Sequence, residues 1–168
     1  VDRVQFIWMA DPQTAQSAIG QFDVAITPLQ AAMIAAGVAN GGVVMQPYLV
    51  QEISGPDLTT VFEADPEQMP NQPAVSPQVA SELTNMMIDV VENGTGQAAQ
   101  IPGVSVAGKT GTAQHGDGTR PHAWFISFAP YEKPRYAVVV MAEGAGSGGG
   151  TCAPVARDIY EAIQKFDS

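Results

Sequence analysis

Two stretches late in the chain, residues 123–129 (AWFISFA) and 136–142 (YAVVVMA), are apolar at almost every position. A strand with one wet face alternates polar and apolar residues, so strands without that alternation need cover on both faces. The link between them, PYEKP, is short enough to join them as an antiparallel hairpin. A third strand is expected over residues 104–112. The covering layers must be helices, and the sequence offers three. Thr27 can cap a helix that has Pro28 in its first turn and Gln30 closing a capping box; the Ala-rich run then ends at Asn40-Gly41-Gly42. Ser76-Pro77 opens a second helix, with Val79, Leu83, Met86, Met87, Val90 and Val91 expected on one face and Asn93-Gly94 as its end. A closing helix from about Pro154 to Phe166 repeats Val155, Ile159, Ala162, Ile163 and Phe166 at helical spacing. The expected fold class is α+β, an antiparallel sheet with helices on both faces.

Between these elements the signals are weaker. Residues 1–26 carry mixed signals that leave their structure open. Residues 47–53 (PYLVQEI) read as a short strand. Residues 54–75 carry four prolines (Pro56, Pro66, Pro70, Pro73) and several acids, the signature of an exposed connection. No internal repeat is present. The net charge of −10 argues against nucleic acid as a partner, because phosphates attract stripes of Lys and Arg. No basic run suggests an anionic membrane surface, and no run of about 18 apolar residues would span a bilayer. A lone Cys152 excludes an internal disulfide and a Cys-rich metal cluster. The chain starts Val1-Asp2-Arg3, without a Met or a signal peptide, and reads as a mature or excised piece of 168 residues.

Two glycine patterns match phosphate-binding templates by letter alone. Gly103 to Thr110 fits G-x-x-x-x-G-K-[ST], but that loop must leave a strand and open a helix. Here the interior Val-Ser-Val-Ala is strand-like, and Gly111-Thr112-Ala113-Gln114 is a poor helix start. Gly144 to Gly149 fits G-x-G-x-x-G, but no later strand can bring the ribose-binding acid. The same lysine makes better sense in Lys109-Thr110-Gly111-Thr112: a cation, two hydroxyls and a glycine side by side suit a carboxylate ligand, with backbone N–H groups open to an oxyanion. A solvated edge strand with a blocking Lys is the plainer alternative. His115, His122 and Asp117 form a conceivable but poorly preorganised metal set in a glycine-rich loop. Cys152 opens a helix, where a thiol can be activated, but a packed thiol is the simpler reading. Trp8, Trp124, Phe125, Phe128 and the methionines read as core.

The run VAGKTGTAQ followed by HAWFISFAP closely resembles the third motif of serine penicillin-binding proteins and their β-lactamase relatives, where K-T-G accompanies S-x-x-K. Further stretches match in the same order: AIGQFDVAITPLQAAMIAAGVANGG, then VVENGTGQAAQIPGV, then the glycine-rich turn and closing helix. The resemblance spans about residues 15–166 and is strongest to the monofunctional (class B) cell-wall transpeptidases. It implies a β-lactamase/transpeptidase-like fold of which residues 1–168 would be the C-terminal part. The implied reaction is peptidoglycan cross-linking: a serine attacks a D-Ala-D-Ala stem peptide, an acyl-enzyme forms, and a neighbouring amine resolves it. Penicillins and other β-lactams would acylate the same serine. Lys109 would hydrogen-bond the serine of the second motif and attract the substrate carboxylate. Thr110 and Thr112 would donate to that carboxylate beside Gly111, and the Thr112 N–H would form half of the oxyanion hole. No metal or organic cofactor is implied. The implied location is extracytoplasmic, at the periplasmic or outer face of the bacterial cytoplasmic membrane, with any anchor outside this chain.

The chain departs from the family pattern at its centre. It has eight serines, and none is followed three places on by Lys, nor two places on by Asn. The S-x-x-K nucleophile and the S-x-N motif are therefore missing, and this chain alone should be inactive. Three readings stay open: a part completed by an N-terminal chain or segment carrying both motifs, a noncatalytic peptidoglycan-binding or regulatory module, and, distantly, a P-loop nucleotide-binding protein.

Overall fold

The computed structural model describes residues 11–21, 24–114 and 118–167. A short helix α1 (Asp11–Ala18) precedes α2 (Pro28–Ala39), whose start follows the sequence signals: Thr27 Oγ1 accepts from the Gln30 N–H, and the Thr27 N–H donates to Gln30 Oε1. The chain leaves α2 through Gly41 and Gly42, both at positive φ. A Cβ at Gly42 would stand 2.0 Å from the Val75 carbonyl oxygen, so this turn requires glycine on two counts.

The next stretch corrects two expectations. Residues 47–51 form no strand; β1 is only Glu52–Ser54, and it pairs antiparallel with β2 (Thr60–Glu63) inside the segment expected to be an exposed connection with little regular structure. The β-branched and aromatic run Thr60-Val61-Phe62 outweighs the surrounding prolines locally. Pro47 lacks an N–H, and Leu49 is fully exposed with no sheet to pack against. Every residue of β1 and β2 is exposed, as expected of a connection at the surface.

Helix α3 (Pro77–Glu92) is capped by Ser76, whose Oγ accepts from the Val79 N–H. Its buried stripe is Ala80, Met87 and Val91, with Leu83, Ile88 and Val90 half-buried. Val79 and Met86, assigned to the inner face from the sequence, point to solvent. Strands β3 (Ala107–Ala113), β4 (His122–Ala129) and β5 (Tyr136–Ala142) then form an antiparallel sheet in the order β3-β4-β5. The first starts three residues later than expected, because Val104 is tied back to Ile101 in a separate bridge.

A π-helical turn (Gly148–Cys152) leads into α4 (Ala153–Asp167). Helices cover both faces of the sheet, as its two-sided apolarity requires. On one side Phe125, Ala123 and Ala129 pack with Cys152, Ala153, Ala156 and Tyr160. On the other, Phe128 and Ala107 pack with Met87 of α3 and Val38 and Ala39 of α2. Of the stripe expected on α4, Ile163 packs against the core, but Val155, Ile159, Ala162 and Phe166 are exposed, Phe166 at 90%. Both stripes repeat every three or four residues, so periodicity alone does not choose between them. The sheet takes Cys152, Ala153 and Ala156, whose small side chains leave room for Tyr160 to reach Ser127.

One polar contact fastens that layer. Ser127, fully buried on β4, donates its hydroxyl to the Val138 carbonyl oxygen and shares a 3.0 Å hydrogen bond with Tyr160 Oη. Burial pushes the Tyr160 phenol up to about 12, although its hydrogen bonds act in the opposite direction. Between pH 10 and 12 the unfolded chain therefore loses this proton while the folded one keeps it, so stability falls as pH rises through that window. The expected loss is about 2–3 kcal/mol across two pH units. Denaturant unfolding at pH 9 and pH 12 of the parent and Tyr160→Phe checks this: the variant should lose that part of the alkaline slope.

Candidate functional site

Strand β3 sits at an edge of its sheet, and the tetrad Lys109 to Thr112 occupies its middle. Register with β4 sets the side chains. Lys109 and Gly111 lie opposite Ile126 and Trp124 on the α2/α3 face, whereas Thr110 and Thr112 lie opposite Phe125 and Ala123 on the α4 face. The alternation therefore splits the lysine from the threonines. What unites them is the open edge. The Thr110 carbonyl oxygen accepts from Lys109 Nζ at 2.6 Å, and that of Thr112 from Gln21 Nε2 at 3.1 Å. In an antiparallel strand the N–H and C=O of one residue point the same way, alternately toward and away from the partner. The backbone groups of Thr110 and Thr112, the Thr112 N–H among them, thus face away from β4.

A cleft of about 390 Å³ lies over the α2/α3 face of the sheet, lined by Gly111, Thr112, Trp124, Met141, Gln21, Val24 and Ile26 among others. Lys109 and Thr110 stand outside its lining. Lys109 is exposed, and no carboxylate pairs with it among the described residues. Packing at Gly111 is tight, since a Cβ there would lie 3.1 Å from Trp124 Cβ. On the opposite face the glycine-rich turn backs the strand. A Cβ on Gly148 would stand 2.0 Å from the Trp124 carbonyl oxygen and 3.0 Å from the Gly111 nitrogen.

The other candidates resolve differently. The G-x-x-x-x-G-K-[ST] match lies in an isolated bridge and a strand, with no helix opening at Lys109, so the P-loop reading is dropped. Gly144 and Gly146 at positive φ make a turn, as expected. His122 Nδ1 accepts from the Gly144 N–H at 3.1 Å, which ties the start of β4 to that turn. His115 and Asp117, the rest of the possible metal set, lie outside the described residues, as does Trp8. Cys152 is fully buried and its thiol is pushed up by burial, the opposite of an activated cysteine. Phe125 and Phe128 are core, but Trp124 is half-buried and lines the cleft. Reading the sequence missed Thr95, whose hydroxyl lies 2.6 Å from that of Thr110, and Gln21. The signals for Thr95 are its place between Gly94 and Gly96 after α3 and within the family-like stretch VVENGTGQAAQIPGV.

Comparison with known proteins follows the same lines. The family model of the penicillin binding protein transpeptidase domain matches residues 5–161. The chain is 50% identical over 149 residues to the peptidoglycan D,D-transpeptidase PbpA of Mycolicibacterium smegmatis, covering 84% of this chain and 30% of that protein. It is 47% identical over 154 residues to the PbpA of Mycobacterium tuberculosis, covering 87% and 31%. Among solved structures, penicillin-binding protein A of M. tuberculosis as a ceftriaxone acyl-enzyme superposes with a TM-score of 0.80 at 46% identity, over 88% of this chain and 34% of that one. The chain thus spans about 30% of the length of the curated relatives it matches.

Proposed function

Because the chain belongs to the penicillin-binding protein transpeptidase domain family, we propose that residues 1–168 are the C-terminal part of a peptidoglycan D,D-transpeptidase domain. In this reading the edge of β3 is one wall of the active-site cleft. An N-terminal segment carrying S-x-x-K and S-x-N supplies the opposite wall, the nucleophile and any membrane anchor, and the domain works outside the cytoplasmic membrane.

The family pattern supplies the proposed roles, and the edge position of β3 supports them. Lys109 provides the positive potential that draws in the terminal carboxylate of a stem peptide, or that of a β-lactam, and reaches the serine of the second motif. Thr110 and Thr112 donate hydroxyl hydrogen bonds to that carboxylate. The serine oxygen attacks the carbonyl carbon of the scissile amide, its proton passing to the Lys of S-x-x-K. The developing oxyanion lies between the N–H of the nucleophile and the N–H of Thr112. Collapse expels D-Ala with its amine reprotonated, and the amine of a neighbouring stem peptide then displaces the serine to form the cross-link. With a β-lactam the same attack opens the ring, and the leaving nitrogen stays tethered. The observation that carries the reading is the backbone of Thr110 and Thr112 facing away from β4 on an edge strand. Relatives solved as β-lactam acyl-enzymes support it. So do the large apolar side chains left exposed on this chain, among them Leu29, Ile34 and Phe166, which a larger domain would cover.

Fluorescent penicillin tests it. Covalent labelling is expected for a longer protein that adds S-x-x-K and S-x-N to this chain, and none for residues 1–168 alone. Labelling of the isolated chain, or none in the completed protein, would overturn the proposal; the second result favours the noncatalytic module.

A further inference from the structure

Thr95 lies in the family-like stretch VVENGTGQAAQIPGV, 15 residues before Thr110, and reaches it only through the fold. Its Oγ1 is 2.6 Å from Thr110 Oγ1, a separation at which one hydroxyl must donate and the other accept. Backbone packing fixes both partners. The Gly96 N–H donates to the Val90 carbonyl oxygen at 2.8 Å, and Gly94 is pressed against the Val90 backbone, so the turn carrying Thr95 is tied to the end of α3. Gly149 lies under the Thr95 carbonyl oxygen, within 2.3 Å of where its Cβ would be, and close to the Thr110 methyl. A β-branched side chain on a strand is stiff about χ1, and with its methyl toward Gly149 the Thr110 hydroxyl is aimed at Thr95.

We propose that Thr95 is a positioning residue for the carboxylate-binding strand. It donates its proton to Thr110 Oγ1, which leaves the Thr110 O–H as the outward donor to the ligand. A hydroxyl has one proton. If Thr110 used its own on Thr95, it would offer only lone pairs to an anion. An approaching carboxylate selects the opposite order, Thr95 to Thr110 to carboxylate, and hydrogen bonds that run in one direction polarise one another. This inference rests on the reading of residues 109–112 as the carboxylate-binding strand.

The experiment uses the longer protein containing this chain, with Thr95→Val, Thr95→Ser, Thr110→Val and the double valine variant. The second-order acylation rate is measured with benzylpenicillin and with its methyl ester, which lacks the anion. Thr95→Val should slow benzylpenicillin about tenfold, as expected for a hydrogen bond to a charged group, and change the ester less than about twofold. Thr95→Ser should restore the parent rate, and the double variant should be no slower than Thr110→Val alone. Thr110→Val slow with Thr95→Val unchanged overturns this inference only. Thr110→Val unchanged overturns the underlying reading. Equal slowing of ester and acid, or failure of Ser to rescue, makes Thr95 structural and also overturns the proposal.

Discussion

Lys109→Ala in the longer protein is expected to slow penicillin acylation by about 10²–10³-fold, the scale of losing one preorganised electrostatic contact to a transition state. The fold should survive. Lys109 projects from an exposed edge, and among the described residues its side chain has one hydrogen bond, to the neighbouring Thr110 carbonyl oxygen. No buried group loses a partner, so the unfolding midpoint should move by no more than a surface substitution allows, about 0.5 kcal/mol. The loss is electrostatic. The chain carries −10 overall, so a site for an anion needs a cation at the point of contact. Lys109→Arg keeps the charge and should recover part of the rate, but a planar fork does not match a point donor reaching a serine. Unchanged acylation by Lys109→Ala would remove the lysine from its proposed role.

What the sequence made legible here was local or two-sided. The caps at Thr27 and Ser76 were readable because each involves residues three apart, and β4 and β5 because continuous apolarity admits few alternatives. The K-T-G stretch was readable as a motif, but its place on an open edge is a property of strand order, which needed the sheet. Errors arose where two local patterns fit equally well. Around α4 both the expected Val155-Ile159-Ala162-Ile163-Phe166 stripe and the Cys152-Ala156-Tyr160-Ile163 stripe have helical spacing; they share Ile163, and only the partner surface decides the rest. On α3 the larger Val79 and Met86 lost to Ala80 for the same reason. The pairing of β1 with β2 was hidden by prolines around a short strand. Thr95 beside Thr110 was invisible, since nothing local couples the turn after α3 to the middle of β3.

Gly148→Ala should be among the most damaging single-methyl additions in the chain, costing about 3 kcal/mol or more, because small-to-large changes in a packed site are expensive when nothing can yield. The new Cβ would stand 2.0 Å from the Trp124 carbonyl oxygen, 2.8 Å from that of Gly111 and 3.0 Å from the Gly111 nitrogen. All three are backbone atoms in the β3–β4 ladder, so no side-chain rotation relieves the clash. Either the π-helical turn lifts away, uncovering Phe125 and Cys152, or the ladder gives way beneath the K-T-G stretch. Gly150→Ala is the control two residues on: its Cβ would meet only the Ser147 hydroxyl, at 3.1 Å, and its effect should stay below about 1 kcal/mol. Denaturant unfolding of the two variants in the longer protein separates close backbone contact from a general intolerance of glycine replacement. The same strain should appear in acylation, since Gly111 precedes the Thr112 N–H and a displaced ladder moves that donor relative to the oxyanion. A Gly148→Ala protein that unfolds at the parent's denaturant concentration would mean that the turn does not press on the strand, and that the strand is held in place from its other face alone.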